Sequence, residues 1–256
     1  MTSGQSWTEA DQGEQAHRPG FPDTIAIDGP AGAGKSTIGR LLAERLGYIF
    51  LDTGAMYRAV ALAAVRQGIS PEDGAALADL AETLPILIEK PAPGETDGRA
   101  YTVKIDGEDV TWDVRRPEVE AIVSEVASWP DVRWALVRQQ RNMARKWPVV
   151  MVGRDITTEV LPDAELKIYL EASLEERARR RHEELIERGR EVTYEQVVQE
   201  ISHRDYLDTH REAGALKKAP DAIVVDSDGL SIEQTLERVM DIVRGWRKSE
   251  RESFFE

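Results

Sequence analysis

Short apolar runs separated by longer amphipathic stretches set the rhythm of this chain. The runs Thr24–Ile27, Tyr48–Leu51, Val149–Val152, Leu166–Leu170 and Ala222–Val225 are four or five residues long and nearly all apolar. Runs of this kind predict strands buried on both faces, as in a parallel sheet covered by helices. Between most of them the period becomes helical, which favours crossover connections. Three later helices open with capping boxes: Ser173 with Glu176, Thr193 with Gln196, and Ser231 with Gln234. In each, the hydroxyl and the side chain three residues on satisfy free amides reciprocally.

The stretch from Leu84 to Val110 breaks the rhythm. "LPILIEK" and "AYTVKIDGEDV" read as strands around a soft "PAPGETDGR" connection, and Asp106-Gly107 is a tight hairpin signal. Two helices are expected next, Pro117–Ser128 and Asp131–Lys146, parted by Trp129-Pro130. No crossover helix fits between the two strands, so this unit is predicted to be an insert beside the main sheet. No internal repeat is present.

Composition narrows the classes. A chain of 256 residues, 41% hydrophobic and 31% charged, accommodates one large α/β domain or a domain with an inserted subdomain. The absence of cysteine excludes disulfides, thiolate metal sites and a cysteine nucleophile together. His17, His182, His203 and His210 lie apart and form no ligand pattern. A formal charge of −14 argues against a nucleic-acid polymer as partner, because neutralising phosphates needs a basic surface. An anionic ligand would need its arginines gathered locally. No apolar run approaches the roughly 18 residues that span a bilayer. Residues 1–22 lack the apolar core of a secretory signal and read as a disordered polar tail, so a cytoplasmic protein is expected.

One motif carries chemistry directly. Gly29-Pro30-Ala31-Gly32-Ala33-Gly34-Lys35-Ser36 fits the P-loop pattern G-x-x-x-x-G-K-[ST], with the strand "TIAI" before it and an amphipathic helix after it. The glycines let backbone amides curl around an anion, and the helix N-terminus adds partial positive charge. Lys35 is expected at the β- and γ-phosphates of a nucleotide, and the Ser36 hydroxyl on Mg2+. No guanine-reading N-K-x-D segment accompanies it, which argues against a GTPase.

Ligands of open α/β sheets sit beyond the carboxyl ends of the strands. Asp28, Asp52-Thr53 and Gly153-Arg154-Asp155 occupy three such ends. Each also has a plainer reading: Thr53 as a helix N-cap, Arg58 as a solvated helix residue, Arg154 and Asp155 as a pair with each other. Further on, Arg177, Arg180 and Arg181 share a helix face. A bare cluster of three cations invites an anion, whereas Glu175, Glu176, Glu183 and Glu184 would balance it as a solvated face. Arg204, Asp208 and Arg211 share the face of the next helix, and an Arg204–Asp208 salt bridge would leave Arg211 free.

The segments "IAIDGPAGAGKST", "LDTGAMYRAVAL", "EVASWPDVRWALVRQQR", "GRDITTEVLPDAELKIYLEASLEERARRR" and "RDYLDTHR" give this chain a resemblance to bacterial cytidylate kinases from about Thr24 to Val243. The resemblance implies an α/β fold: a P-loop core with a five-stranded parallel sheet flanked by helices, a small β-containing nucleotide-binding insert and a helical lid. On this chain the core falls at 23–78 and 129–246, the insert at 79–128, the lid at about 173–192, and tails at 1–22 and 247–256. It implies transfer of a phosphoryl group from ATP to CMP or dCMP with Mg2+, by a monomer acting on small nucleotides.

Matched residue by residue, the ATP loop of the resemblance falls on Gly29, Pro30, Ala31, Gly32, Ala33, Gly34, Lys35, Ser36 and Thr37. Its monophosphate ligands fall on Thr53, Tyr57, Arg58, Arg154 and Arg211, its cytosine readers on Ser124, Arg133 and Asp155, and its sugar ligand on Asp208. The lid arginines fall on Arg177 and Arg181, with Arg180 alongside; with Lys35 these are the expected catalytic cations. Three positions depart from the pattern. Thr157 stands where glycine is usual, which is expected to stiffen its loop; Ala215 replaces a usual proline, and Leu207 a frequently polar residue. A hydroxyl-directed P-loop kinase, the nearest rival, would need a base and would have no use for Ser124, Arg133 and Asp155. A nucleotide sensor without turnover would not need the lid arginines.

Overall fold

The structure is a computed structural model and describes residues 19–92, 94–187 and 189–246. β1 (Thr24–Asp28) leads through the glycine loop into α1 (Lys35–Leu46), followed by β2 (Ile49–Asp52), α2 (Thr53–Gln67) and α3 (Gly74–Thr83). Next come β3 (Ile86–Glu89), β4 (Thr102–Ile105), β5 (Glu108–Asp109), α4 (Pro117–Val126) and α5 (Pro130–Ala144). β6 (Val149–Val152), β7 (Leu166–Glu171), α6 (Leu174–Glu187), α7 (Tyr194–His210), β8 (Ile223–Asp226) and α8 (Ile232–Gly245) complete the order.

The five apolar runs form one parallel sheet in the order β2-β6-β1-β7-β8. Its pleat divides the core by alternate residues. Ile25, Ile27, Val150 and Val152 face α1 and α8, joined by Leu42, Leu46, Val239 and Val243. Ala26, Val149 and Met151 face the opposite layer of α2, α4 and α5, with Met56, Val60 and Leu136. Each such aliphatic side chain contributes about 1.5–3 kcal/mol when fully buried. Among the described residues, no helix is long and apolar enough to cross a membrane.

β3, β4 and β5 pair antiparallel in a separate sheet. Asp106 (φ 51°) and Gly107 (φ 81°) both take the left-handed conformation that a two-residue hairpin turn requires. Asp106 is the one non-glycine residue with positive φ among the described residues.

Two local expectations change. The boxes at Thr193 and Ser231 form in full. At Ser173 only half forms: its hydroxyl accepts from the Glu176 amide (3.2 Å), but its own amide donates to Asp228 (2.7 Å). The Glu176 carboxylate is taken by Arg179 and Arg180, charged partners that outcompete a neutral amide. The predicted tail lies outside the described residues up to position 18, but Phe21 packs on the core and Pro22 is buried. Packed structure therefore begins before Asp23.

The helix that follows the glycine loop lies close on the sheet because Gly39 faces it. A Cβ there would sit 2.5 Å from Val152 Cγ1 and 3.0 Å from Phe50 Cε2. Gly39→Val is expected to cost about 1–3 kcal/mol of stability through overpacking. For a chain of this size that is a fall of about 5 °C in Tm by thermal unfolding. An unchanged Tm would show that α1 can shift off the sheet freely.

Candidate active site

The carboxyl ends of β1, β2 and β6 open into one cleft of about 1050 Å³, walled by the glycine loop, α2, α4, α6 and α7. Gly29 cannot carry a side chain: its φ is 152°, and a Cβ would fall 1.9 Å from the Leu170 carbonyl oxygen. Gly34, at φ 88°, makes the left-handed step into α1 that leaves the loop amides free to curl. Lys35, almost fully buried, donates from Nζ to the Pro30 carbonyl (2.6 Å). Burial, reinforced by the nearby Arg154 charge, pushes its pKa well below that of an ordinary lysine. A charge held this way is ready for an anion.

Ser36 Oγ donates to Asp52 Oδ2 at 2.8 Å. This hydroxyl–carboxylate pair suits Mg2+, which prefers hard oxygen donors, keeps several waters and borrows phosphate oxygens. No group of three or more His, Asp or Glu side chains with metal-binding geometry occurs among the described residues. The few protein donors fit an ion carried in with a nucleotide.

Facing the loop, a second set of charged residues meets around Arg154. Arg154 Nε donates to Asp208 Oδ2 (2.6 Å), and Arg211 Nη1 lies 3.7 Å from Asp208 Oδ1. Arg211 Nε also donates to the Gly214 carbonyl (2.6 Å). This corrects the expected Arg204–Asp208 bridge and the free Arg211. Tertiary contact brings Arg154 to Asp208 from another strand end, and Arg204 is left lining the cleft with a buried Nε that has no partner. Burial alone would raise the Asp208 pKa, but Arg154 and Arg211 outweigh it and hold it below the usual value. For Arg204 burial dominates, and with Arg154 beside it the pKa is lowered.

Arg154 and Asp155 do not pair with each other. Asp155 accepts instead from Arg133 Nη2, and both side chains are buried. The Arg133 guanidinium lies 5.6 Å from the centroid of the Tyr57 ring. Burial pushes the Asp155 carboxyl up to about 6, against the pull of Arg133. Ser124 lines the same end of the cleft from α4. Thr53 is not an N-cap: Asp52 holds the flanking position, and Thr53 Oγ1 donates to the Val152 carbonyl (2.9 Å), tying α2 to β6. Arg58 is half-buried, with Nη2 on Tyr101 Oη (3.2 Å) and a buried Nε lacking a partner.

The three arginines of α6 are not a bare cluster: each has its own partners, and Arg180 and Arg181, but not Arg177, line the cleft. Arg177 is buried and clamps the glycine loop, with Nη1 donating to the Ala31 carbonyl (3.0 Å) and to Asp205 Oδ2 (2.6 Å). Asp205 Oδ1 in turn accepts from the Ala31 amide (3.3 Å). Arg180 reaches the Ser227 carbonyl (2.6 Å) and Glu176 (2.7 Å), and Arg181 pairs with Glu184 (3.0 Å). Glutamates at helical spacing take two of them, as the solvated-face alternative foresaw.

Thr157 is tied down as its departure from glycine suggested. Its amide (2.7 Å) and hydroxyl (2.6 Å) both donate to Asp28 Oδ2, while the Ile156 amide donates to Oδ1 (2.9 Å). Burial still raises the Asp28 pKa despite these donors. The wide turn Ile156–Val160 is thereby fixed to β1. Residues missing from the expected set are Asp52, Tyr101, Arg115, Arg204 and Asp205. Asp205 stands inside "RDYLDTHR" and Asp52 at a strand end, so both had a signal; Tyr101 and Arg115 had none, since only the packing of the small sheet brings them in.

A glycine loop between β1 and α1, under a parallel sheet with its cations collected at the strand ends, defines a P-loop kinase. The chain belongs to the cytidylate kinase family, whose model matches residues 25–245. It is 53% identical over 220 residues to a cytidylate kinase of Chloroflexus aggregans, covering 86% of this chain and 93% of that protein. Cytidylate kinases of Roseiflexus castenholzii and Geobacter sulfurreducens are 50% identical over 219 residues and 48% over 220, covering 86% of this chain and 92% of each relative.

The Arg154–Asp208 pair has a definite stability signature. A carboxyl with a depressed folded pKa adds stability that is present above its unfolded value, here 3.8, and is lost as pH falls through the folded value. Asp208→Asn is expected to lose about 3 kcal/mol at neutral pH by leaving Arg154 and Arg211 without their counter-charge. The gap from wild type should close as the pH is taken below the unfolded value. Denaturant unfolding of both proteins across acid pH checks this; a gap independent of pH would show that the carboxylate charge contributes nothing.

Proposed function

We propose that this member of the cytidylate kinase family transfers the γ-phosphoryl group of ATP to the phosphate of CMP or dCMP, yielding ADP and CDP or dCDP. The observation that carries the reading is one cleft with two differently built ends. At one end the glycine loop, Lys35 and Ser36 suit a triphosphate. At the other, Arg58, Arg154 and Arg211 suit a phosphate, beside the buried Arg133–Asp155 pair with Tyr57 and Ser124. Arg204 joins that set as a half-buried cation that lines the cleft and whose Nε has no hydrogen-bond partner.

A monophosphate oxygen attacks the γ-phosphorus, the bond to the β–γ bridging oxygen breaks, and ADP leaves with the electron pair. The second pKa of the acceptor phosphate is about 6, so it is largely ionised at neutral pH and requires no general base. Catalysis therefore rests on alignment and on positive charge around the transferring group. Lys35 supplies part of that charge from the loop. Arg181, and Arg180 beside it, supply more by leaving their glutamates as the lid at about 173–192 closes over the insert at 79–128. Arg177 holds the loop in shape through the Ala31 carbonyl. Mg2+, when bound, neutralises phosphate charge, and Ser36 with Asp52 behind it would hold it.

Asp155 reads the base. Its carboxylate accepts from the exocyclic amine of cytosine and opposes the carbonyl of uracil. Asp208, set by Arg154, faces the sugar. The charge of −14 fits a small-nucleotide substrate in the cytoplasm better than a nucleic-acid polymer.

Lys35→Ala should abolish phosphoryl transfer in a coupled ADP-release assay while leaving the Tm nearly unchanged. Retention of more than about a tenth of wild-type kcat, a barrier cost under roughly 1.4 kcal/mol, would refute the role.

Base reading should depend on pH through Asp155. As its carboxyl gains a proton near pH 6 it loses the charge that strengthens acceptance from cytosine and gains an O–H able to donate to uracil. The ratio of kcat/KM for CMP to that for UMP should therefore shrink as pH falls through this value, from about tenfold or more. Titration of the substrate phosphate is common to both nucleotides and cancels in the ratio. Asp155→Asn should give a small ratio that does not vary with pH. A wild-type ratio that stays constant across the same range would remove Asp155 from base reading.

A further inference from the structure

We propose that Tyr101 is a positioning residue of the acceptor-phosphate site, and that Arg115 is a further cation of that site. Both are supplied by the segment that carries the small sheet. The proposal rests on the reading of Arg58 and Arg154 as acceptor-phosphate ligands.

Tyr101 is buried at the start of β4, yet its hydroxyl reaches across to the carboxyl end of β2. It donates to Asp52 Oδ2 (3.0 Å) and accepts from Arg58 Nη2 (3.2 Å) and Arg115 Nη2 (3.0 Å). A phenol has one donor and two acceptor sites, so this oxygen is fully used. The Arg115 guanidinium also stands 5.7 Å from the Tyr101 ring centroid. The ring itself leans on Phe50, with centroids 5.9 Å apart.

The arrangement holds two arginines side by side at the cleft wall on one hydroxyl, with Asp52 Oδ2 3.8 Å from Arg58 Nη2. Asp52 is shared further, since it takes the Ser36 hydroxyl on the same oxygen. Glu120, the other carboxylate acting on Arg58, is shared with Arg204 and Arg181, so the arginines at this wall outnumber the carboxylates. The buried Nε of Arg58 has no hydrogen-bond partner in the protein. An anion is the complement of such a surplus.

The choice of a phenol matters physically. A second carboxylate at this point would orient the arginines but cancel their charge. A neutral hydroxyl orients them and leaves the charge for the ligand. Burial pushes the Tyr101 hydroxyl up to about 12, so it stays neutral over any working pH. The same oxygen links the arginines through Asp52 to Ser36, joining the acceptor end of the cleft to the glycine loop.

The competing account is that Tyr101 is only a packing ring. Tyr101→Phe separates the two, because it keeps the ring on Phe50 and removes the oxygen. Calorimetric titration with CMP and with cytidine, which lacks the phosphate, is the measurement. Tyr101→Phe and, independently, Arg115→Met should each weaken CMP binding by about tenfold, the size of one charge-assisted contact, and leave cytidine binding unchanged. KM for CMP should rise while KM for ATP holds within about twofold. Unchanged CMP affinity in both folded variants would overturn the proposal, as would an equal loss of CMP and cytidine, which marks a general distortion. If wild type itself binds CMP no tighter than cytidine, the underlying reading of the acceptor-phosphate site fails, and that result is distinguishable from the other two.

Discussion

Buried carboxylates at the ends of strands and helices hold the cations of the cleft, and the rest of the structure depends on that balance. The chain carries a net charge of −14, yet one cleft collects Lys35, Arg58, Arg115, Arg133, Arg154, Arg204 and Arg211. Uncompensated, such a collection would repel itself and resist burial. Asp52, Asp155 and Asp208 each take one or more of these side chains, and Asp205 takes Arg177 at the edge. Two of the closest of these pairs span different elements: Arg133 is on α5 and Asp155 follows β6, while Arg154 follows β6 and Asp208 is on α7. The electrostatic pairs are thus also the ties between layers of the fold.

The pairing explains the opposite directions of the carboxyl pKa values. Asp28 and Asp155 are dominated by burial, and their acids are weakened. Asp52 and Asp208 face enough cationic charge to overcome burial, and theirs are strengthened. Two kinds of carboxylate follow. One kind stays charged and holds arginines at fixed positions. The other is pushed by burial toward its neutral form, and at Asp155 the carboxyl is carried up to about 6.

The glycine loop is held by the same means. Arg177 and Asp205 bind the Ala31 carbonyl and amide, so the loop's curve is set from α6 and α7 as well as by its own glycines. Arg177 therefore serves the loop backbone, while Arg181, which lines the cleft, pairs with Glu184. That division within one arginine run could not be read from spacing, because residues three and four apart share a face whether or not they share a partner.

The sequence by itself determined the strands, their parallel class, the hairpin at Asp106-Gly107, the glycine loop and the family. Each of these is written in local chemistry: apolar runs of strand length, two adjacent residues suited to positive φ, glycines where a Cβ would strike backbone. It also marked Arg154, Asp155 and Asp208, as charged residues at strand ends or on a shared helix face. Tertiary structure alone decided who pairs with whom. Arg204 and Asp208 had the right helical spacing, but Arg154 arrived from β6 at a shorter distance and took the carboxylate. Tyr101 gave no sign of its role, because a tyrosine beside an apolar strand reads as core until the small sheet folds over β2 and sets its oxygen on Asp52. Local signals record what a segment prefers; a buried ion pair is chosen by which opposite charge the completed fold brings nearest, and that depends on every intervening layer.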